Sequence, residues 1–166
     1  MAAKNHEELL LNWLQSVHAL EVRLVNILEK QAERASAMPQ LQQRLYGHRE
    51  ESQRHADLVR GCIERRGGEV SQIREGLSKF MGEVQSRLLG TFGDSVVRDA
   101  ITGSMIEQSE IASYRAIITL ADRLDDQQTV DVCKEILAEE EEMFSYFDDE
   151  LNNLVNHAYD RKLLIE

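Results

Sequence analysis

Hydrophobic positions along the chain recur in alternating steps of three and four, the spacing that lines up side chains on one face of an α-helix. The first stripe reads Leu10, Leu14, Val17, Glu21, Leu24, Leu28, and the second Leu45, His48, Glu51, His55, Leu58, Cys62. The third is Ala100, Gly103, Glu107, Glu110, Tyr114, Ile117, Ala121, Leu124, and the fourth Cys133, Ile136, Glu140, Met143, Phe147, Glu150, Leu154. No alternating strand pattern of useful length appears. The pattern predicts an all-α protein. Helix 1 should run from about His6 to about Arg34, and helix 2 from Pro39 to the Gly67-Gly68 stop. Helix 3 should start at an Asp94 or Ser95 cap and reach about Leu124. The turn Asp125-Asp126-Gln127 then leads into helix 4, which should end near Asn156.

Connection lengths set the topology. Short turns join helices 1 and 2 and helices 3 and 4, so each pair should form an antiparallel hairpin. Residues 67–93 carry an amphipathic run, Ile73, Leu77, Phe80, Val84 and Leu88, read as a crossover with a short helix of its own. Such a crossover lets helix 3 run parallel to helix 2; a lid or dimer-contact helix is the alternative. The expected architecture is a four-helix bundle, one domain over residues 1–166.

Each stripe is interrupted by charge near its middle. Glu21 breaks the first, His48, Glu51 and His55 the second, Glu107 and Glu110 the third, and Glu140 the fourth. Mid-helix positions meet at one level of a bundle whichever way the helices run. Buried carboxylates are normally neutralised, paired with a cation or bound to a metal. Five carboxylates and two imidazoles at one depth therefore point to a metal site. Blander placements exist for each. Glu110 would pair with Arg115 or with an arginine of a partner chain if its stripe were rotated, Glu21 could meet Arg23 at the surface, and lone helical histidines are commonly polar filler. In the acidic run Glu139 to Glu142 only Glu140 can face inward, and Tyr114 and Trp13 read as packed core residues.

Composition narrows the partners. The formal net charge of −11 opposes the cationic contacts that nucleic acids and anionic membranes require. No apolar run is long enough to span a bilayer, and the amino terminus does not read as a signal peptide. Cys62 and Cys133 fall on inward stripes without metal-type spacing, which suits buried thiols in a reducing cytoplasm.

These residues, in this order and register, resemble the ferritin-like superfamily, whose di-iron and di-manganese members draw carboxylates and Glu-x-x-His motifs from four helices. Glu107-Gln108-Ser109-Glu110, followed by Tyr114, resembles the third helix of rubrerythrins and of the YciE/YciF-like branch. Residues 136–143, with Glu140 at the ligand position, resemble the fourth helix of bacterioferritins. Residues 48–57 are most similar to the YciE/YciF-like second helix, and Glu21 falls where the first helix supplies its carboxylate. The resemblance spans roughly Glu7 to Leu154. Met143 stands where Glu-x-x-His would place histidine, and a thioether is a poor ligand for hard iron or manganese. Ser52 stands three residues before His55, so the Glu51-to-His55 step is four. No helix 2 methionine occupies the haem position of bacterioferritins, and no haem is expected.

The resemblance implies metal ligands among Glu21, His48, Glu51, His55, Glu107, Glu110 and Glu140, with Glu107, Glu110 and Glu140 closest to the chemistry. It implies a di-iron ferroxidase that oxidises Fe(II) with dioxygen or peroxide, for iron storage or detoxification or in oxidative-stress defence, assembled as a homodimer or larger homo-oligomer. A manganese catalase-like peroxide scavenger shares the scaffold. A metal-free bundle serving as a structural or dimerisation module is the third reading, favoured by Met143 and Ser52.

Overall fold

The computed structural model describes residues 2–70 and 94–163, which form four helices. These are α1 (Ala2–Arg34), α2 (Pro39–Arg65), α3 (Ser95–Arg123) and α4 (Gln127–Leu163). The expected crossover helix lies outside the described residues. α1 packs along α2 and α3 along α4, with α1–α3 and α2–α4 contacts closing the bundle.

Two apolar layers reveal the helix directions. One joins Leu24 and Leu28 of α1, Leu41 and Leu45 of α2, Val96 and Ala100 of α3, and Phe147 and Leu154 of α4. The other joins Leu10 and Leu14, Val59 and Cys62, Ile117 and Ala121, and Val130 and Cys133. Early residues of α2 thus meet early residues of α3, so those two helices run parallel. α1 and α4 run against them.

Local chemistry fixes the ends. Pro39 opens α2, where its missing N–H costs no helical bond. Gly67 takes a left-handed φ of 72°, and Gly68 N donates to Ile63 O at 3.0 Å, a Schellman stop. Asp94 caps α3, accepting from Val96 N at 2.9 Å and Val97 N at 3.1 Å. α3 also ends in a Schellman arrangement, with Asp126 N donating to Ala121 O at 3.0 Å, but the left-handed residue is Asp125 at φ 55°.

Three expectations need correction. α1 begins at Ala2 rather than His6. α4 runs to Leu163 rather than Asn156, because no Gly or Pro interrupts it and the buried stripe continues through Leu154 and Ala158. Trp13 is 36% exposed rather than core, since it flanks the Leu10–Leu14–Val17 face instead of sharing it. Both cysteines are buried and free. No described helix is long and apolar enough to cross a membrane.

One glycine governs the approach of α4 to α3. A Cβ on Gly103 would lie 2.5 Å from the Phe147 ring, a distance that real side chains do not tolerate. Its absence lets Phe147 press against α3 one turn from Glu107.

Candidate metal centre

Between the two apolar layers lies a polar one. Glu21 comes from α1, His48, Ser52 and His55 from α2, Glu107 and Glu110 from α3, and Glu140 from α4, none more than 2% exposed. The helical stripes deliver them there: each residue takes the inward position an aliphatic side chain would otherwise hold.

Two groups of three emerge, Glu21–His55–Glu140 and His48–Glu107–Glu140, each with one ligand atom per residue and all atoms within 4.8 Å of one another. Glu140 belongs to both. Its Oε1 lies 2.9 Å from His55 Nδ1, and its Oε2 lies 3.7 Å from His48 Nε2. On the flanks, His48 Nε2 is 3.2 Å from Glu107 Oε1, and His55 Nδ1 is 3.6 Å from Glu21 Oε1. The imidazole of the second group thus comes from His48, and Met143 is packed among apolar side chains instead.

These contacts are close, yet they satisfy few of the atoms involved. Both oxygens of Glu110 and of Glu140, Oε2 of Glu21 and of Glu107, Nε2 of His48, Nδ1 of His55 and Oγ of Ser52 are buried without a hydrogen-bond partner. Native interiors rarely leave such groups unpaired, and here the orphans crowd one level. Two donors each about 2.1 Å from one cation and at right angles to it sit about 3.0 Å apart. The 2.9 and 3.2 Å nitrogen–oxygen approaches match that spacing. Four buried carboxylates, fully ionised, would also balance two divalent cations with the imidazoles neutral. The donor set therefore fits a pair of hard or borderline divalent ions.

Electrostatics show the strain of the metal-free layer. Burial pushes Glu107 up to about 8, His48 pulling against it and Glu140 adding to it. Burial, then the charges of Glu21, Glu140 and Glu107, raises Glu110 well above the carboxylate range. Glu21 is raised too, chiefly by burial, although His55 and Tyr114 favour its ionised form. Burial opposes charge on the histidines, but contacts with Glu107 and Glu51 lift His48 to about 10, and Glu140 and Glu21 do the same for His55. Glu140 alone of the inner carboxylates is lowered: burial opposes ionisation, and His55 and the other neighbours outweigh it.

Of the residues singled out from the sequence, Glu21, His48, His55, Glu107 and Glu140 are brought into the two groups. Glu110 is buried in the same layer with both oxygens unengaged, and Arg115 pairs with Glu141 instead. Glu51 is not brought inside. Its side chain is 31% exposed and meets the outer nitrogen of His48, Nδ1, at 2.9 Å while pairing with Arg44 at 3.1 Å. His48 pulls the Glu51 carboxyl down to about 2, with Arg44 assisting against partial burial. The cause is register: a four-residue step to His55 turns Glu51 toward solvent and leaves Ser52 facing the layer. Tyr114, read from sequence as packing, donates its hydroxyl to Glu21 Oε1 at 2.6 Å. Glu139 and Arg54 are further residues that sequence reasoning missed. His55 Nε2 meets Glu139 Oε2 at 2.7 Å, and Glu139 pairs with Arg54, which also holds Glu135 at 2.6 Å. Their only signal was adjacency, each preceding an inward residue by one.

Comparison with known proteins agrees with this architecture. Protein YciF of Escherichia coli strain K12 is 25% identical over 98% of this chain and 99% of its own length. The crystal structure of that E. coli stress protein matches with a TM-score of 0.77 at 24% identity, covering 91% of this chain and 97% of the other. A protein from Xanthomonas campestris pv. campestris matches at 0.82 and 26% identity, over 96% and 99%. The bacterioferritin of Desulfovibrio desulfuricans, solved with its diiron site in different catalytic states, matches at 0.74 and 17% identity, over 93% and 84%, a likeness of fold. Residues 5–160 fit the model of a family described as a domain of unknown function, DUF892. By that match the chain belongs to the DUF892 family, on a ferritin-like four-helix bundle.

Proposed function

We propose that this protein is a ferritin-like di-iron carboxylate protein that oxidises Fe(II) with dioxygen or peroxide, in iron detoxification or in the stress setting named for its relative YciF. The carrying observation is Glu140, one carboxylate whose two oxygens face two separate His–Glu pairs in a buried layer. That is what two neighbouring cations require. Iron is the substrate here, and two Fe(II) ions supply the two electrons that reduce dioxygen, with two protons, to hydrogen peroxide.

The chain's own residues bind, orient and exclude water. Glu21 with His55 holds one position and Glu107 with His48 the other, while Glu140 joins them. Tyr114 keeps the Glu21 carboxylate turned into the layer. Glu110, buried with both oxygens unengaged, would be a further carboxylate available to the cations. Leu14 and Val17 on one side and Leu24 and Phe147 on the other belong to the apolar layers that keep the site dry.

Anaerobic titration of the apoprotein with Fe(II), followed by air, tests this reading. Saturation near two irons per chain, with oxygen-dependent oxidation lost in Glu107→Gln, is the expected result. Uptake no greater than a chelator-controlled baseline would sink it and leave a metal-free bundle. Tight manganese retention with peroxide turnover would transfer the site to catalase-like chemistry.

A further inference from the structure

We infer that Glu51 and Glu139 are positioning residues that lock the two inner histidines in opposite tautomers, so that His48 offers Nε2 to the metal site and His55 offers Nδ1. This rests on the two-metal reading above. It goes beyond it by assigning a role to two half-exposed carboxylates and a specific nitrogen to each ligand.

The reason for opposite tautomers lies in spacing. His48 and His55 are seven residues apart on α2, nearly two full turns, so both face the same way about 10 Å apart along the helix axis. Glu140 sits between them, one oxygen toward each ring. The two rings present different edges to that common centre. In His48 the inward atom is Nε2, near Glu107 and Glu140, and the outward atom is Nδ1. In His55 the inward atom is Nδ1, near Glu140 and Glu21, and the outward atom is Nε2.

Each outward nitrogen finds the same kind of partner. His48 Nδ1 lies 2.9 Å from Glu51, which is held by Arg44. His55 Nε2 lies 2.7 Å from Glu139, which is held by Arg54. A carboxylate paired with arginine can only accept, so the ring nitrogen facing it must carry the proton. When a cation replaces the proton on the opposite nitrogen, that nitrogen's lone pair is directed inward. Both inward nitrogens are buried and lack a hydrogen-bond donor, which a ligating lone pair requires. Outer carboxylates of this kind orient metal-binding histidines and raise their basicity.

The two devices differ in construction. Arg44, Glu51 and His48 all belong to α2, so the first is local. Arg54 and His55 lie on α2 but Glu139 on α4, so the second also ties the helices together. An exposed ion pair alone contributes little. These pairs matter because each ends on a buried ring.

Zn(II) serves as a diamagnetic probe, read by long-range proton–nitrogen correlation of the imidazoles and by chelator competition. Wild type should show metal-type shifts at His48 Nε2 and His55 Nδ1, with the protons on the other two nitrogens. Glu51→Ala should disturb only the His48 pattern and Glu139→Ala only that of His55, each weakening Zn(II) binding about 10- to 100-fold. Glu51→Gln and Glu139→Gln keep an acceptor oxygen and should restore the wild-type tautomers, which a purely structural role does not predict. Both histidines binding through the same nitrogen, or alanine variants that leave tautomers and affinity unchanged, would overturn the assignment while leaving the two-metal reading intact. No Zn(II) uptake by wild type would overturn both.

Discussion

Asp126 and Glu110 are both buried carboxylates, 8% and 0% exposed, and the chain treats them in opposite ways. Asp126, at the α3–α4 turn, accepts from Thr129 N at 3.2 Å and Thr129 Oγ1 at 2.6 Å, and it pairs with Arg65 at 2.9 Å and with Arg66. Burial works against its charge, but Thr129 and the two arginines prevail and lower its pKa. Glu110, at mid-bundle, has no hydrogen bond on either oxygen, and its surroundings add further carboxylates. Desolvation is paid for inside the chain in one case and left open in the other. A fully partnered buried acid is a structural joint; a cluster of acids with oxygens left unengaged is a site waiting for cations or protons.

The largest expected effect is on the joint. Asp126→Ala should cost about 3 kcal/mol in urea unfolding, because Arg65 and Arg66 each lose a buried carboxylate and α4 its cap. Metal should act on the open cluster almost as strongly. At a free divalent concentration 100 times Kd, wild type should gain about 2.7 kcal/mol, and Glu140→Ala, lacking the shared carboxylate, should gain none. In chelator, Glu110→Leu should stabilise the fold by about 2 kcal/mol, the reverse of Asp126→Ala, since it removes an unsatisfied polar group. Destabilisation by Glu110→Leu would erase the contrast. Thr129→Val, which removes one of several Asp126 contacts, should cost only about 1 kcal/mol.

The two regions should also respond to pH with opposite sign. Glu107 is raised from 4.5 to about 8 in the folded state. Between those values the folded protein keeps a proton that the unfolded chain has released, so metal-free stability should fall as pH rises through that window. The raised Glu21 and Glu110 act in the same direction. Asp126 is depressed, so its contribution is present above its ordinary 3.8 and is lost as pH falls below it. Urea midpoints in chelator, taken at about pH 5 and about pH 8, check the first trend, and saturating metal should flatten it.

Much of the scaffold was legible because helical periodicity is a local property. The stripes, Pro39, the Gly67-Gly68 stop and the Asp94 cap each act within a few residues, and the described helices start and stop close to them. α1 and α4 extend beyond the ends that periodicity marks, since fraying at Asn5 or Asn156 depends on packing further along the bundle. Trp13 was misplaced because hydrophobicity alone does not distinguish a stripe's centre from its edge. At the centre, the inward positions of Glu21, Glu107, Glu110 and Glu140 were visible as charges on apolar faces. Glu51 looked equivalent to them, and a rotation of one residue separates it from the layer.

Sequence by itself determined which residues could meet: period, caps and the level of each interruption follow from backbone geometry that every helix shares. Only the tertiary structure decided how they meet. It placed His48, not position 143, beside Glu107, gave Glu140 two neighbours, and set Glu51 and Glu139 outside the rings they hold. Those choices depend on the rotation of each helix about its axis and on the close approach at Gly103. Both are settled by side-chain packing between distant segments, which no local pattern encodes.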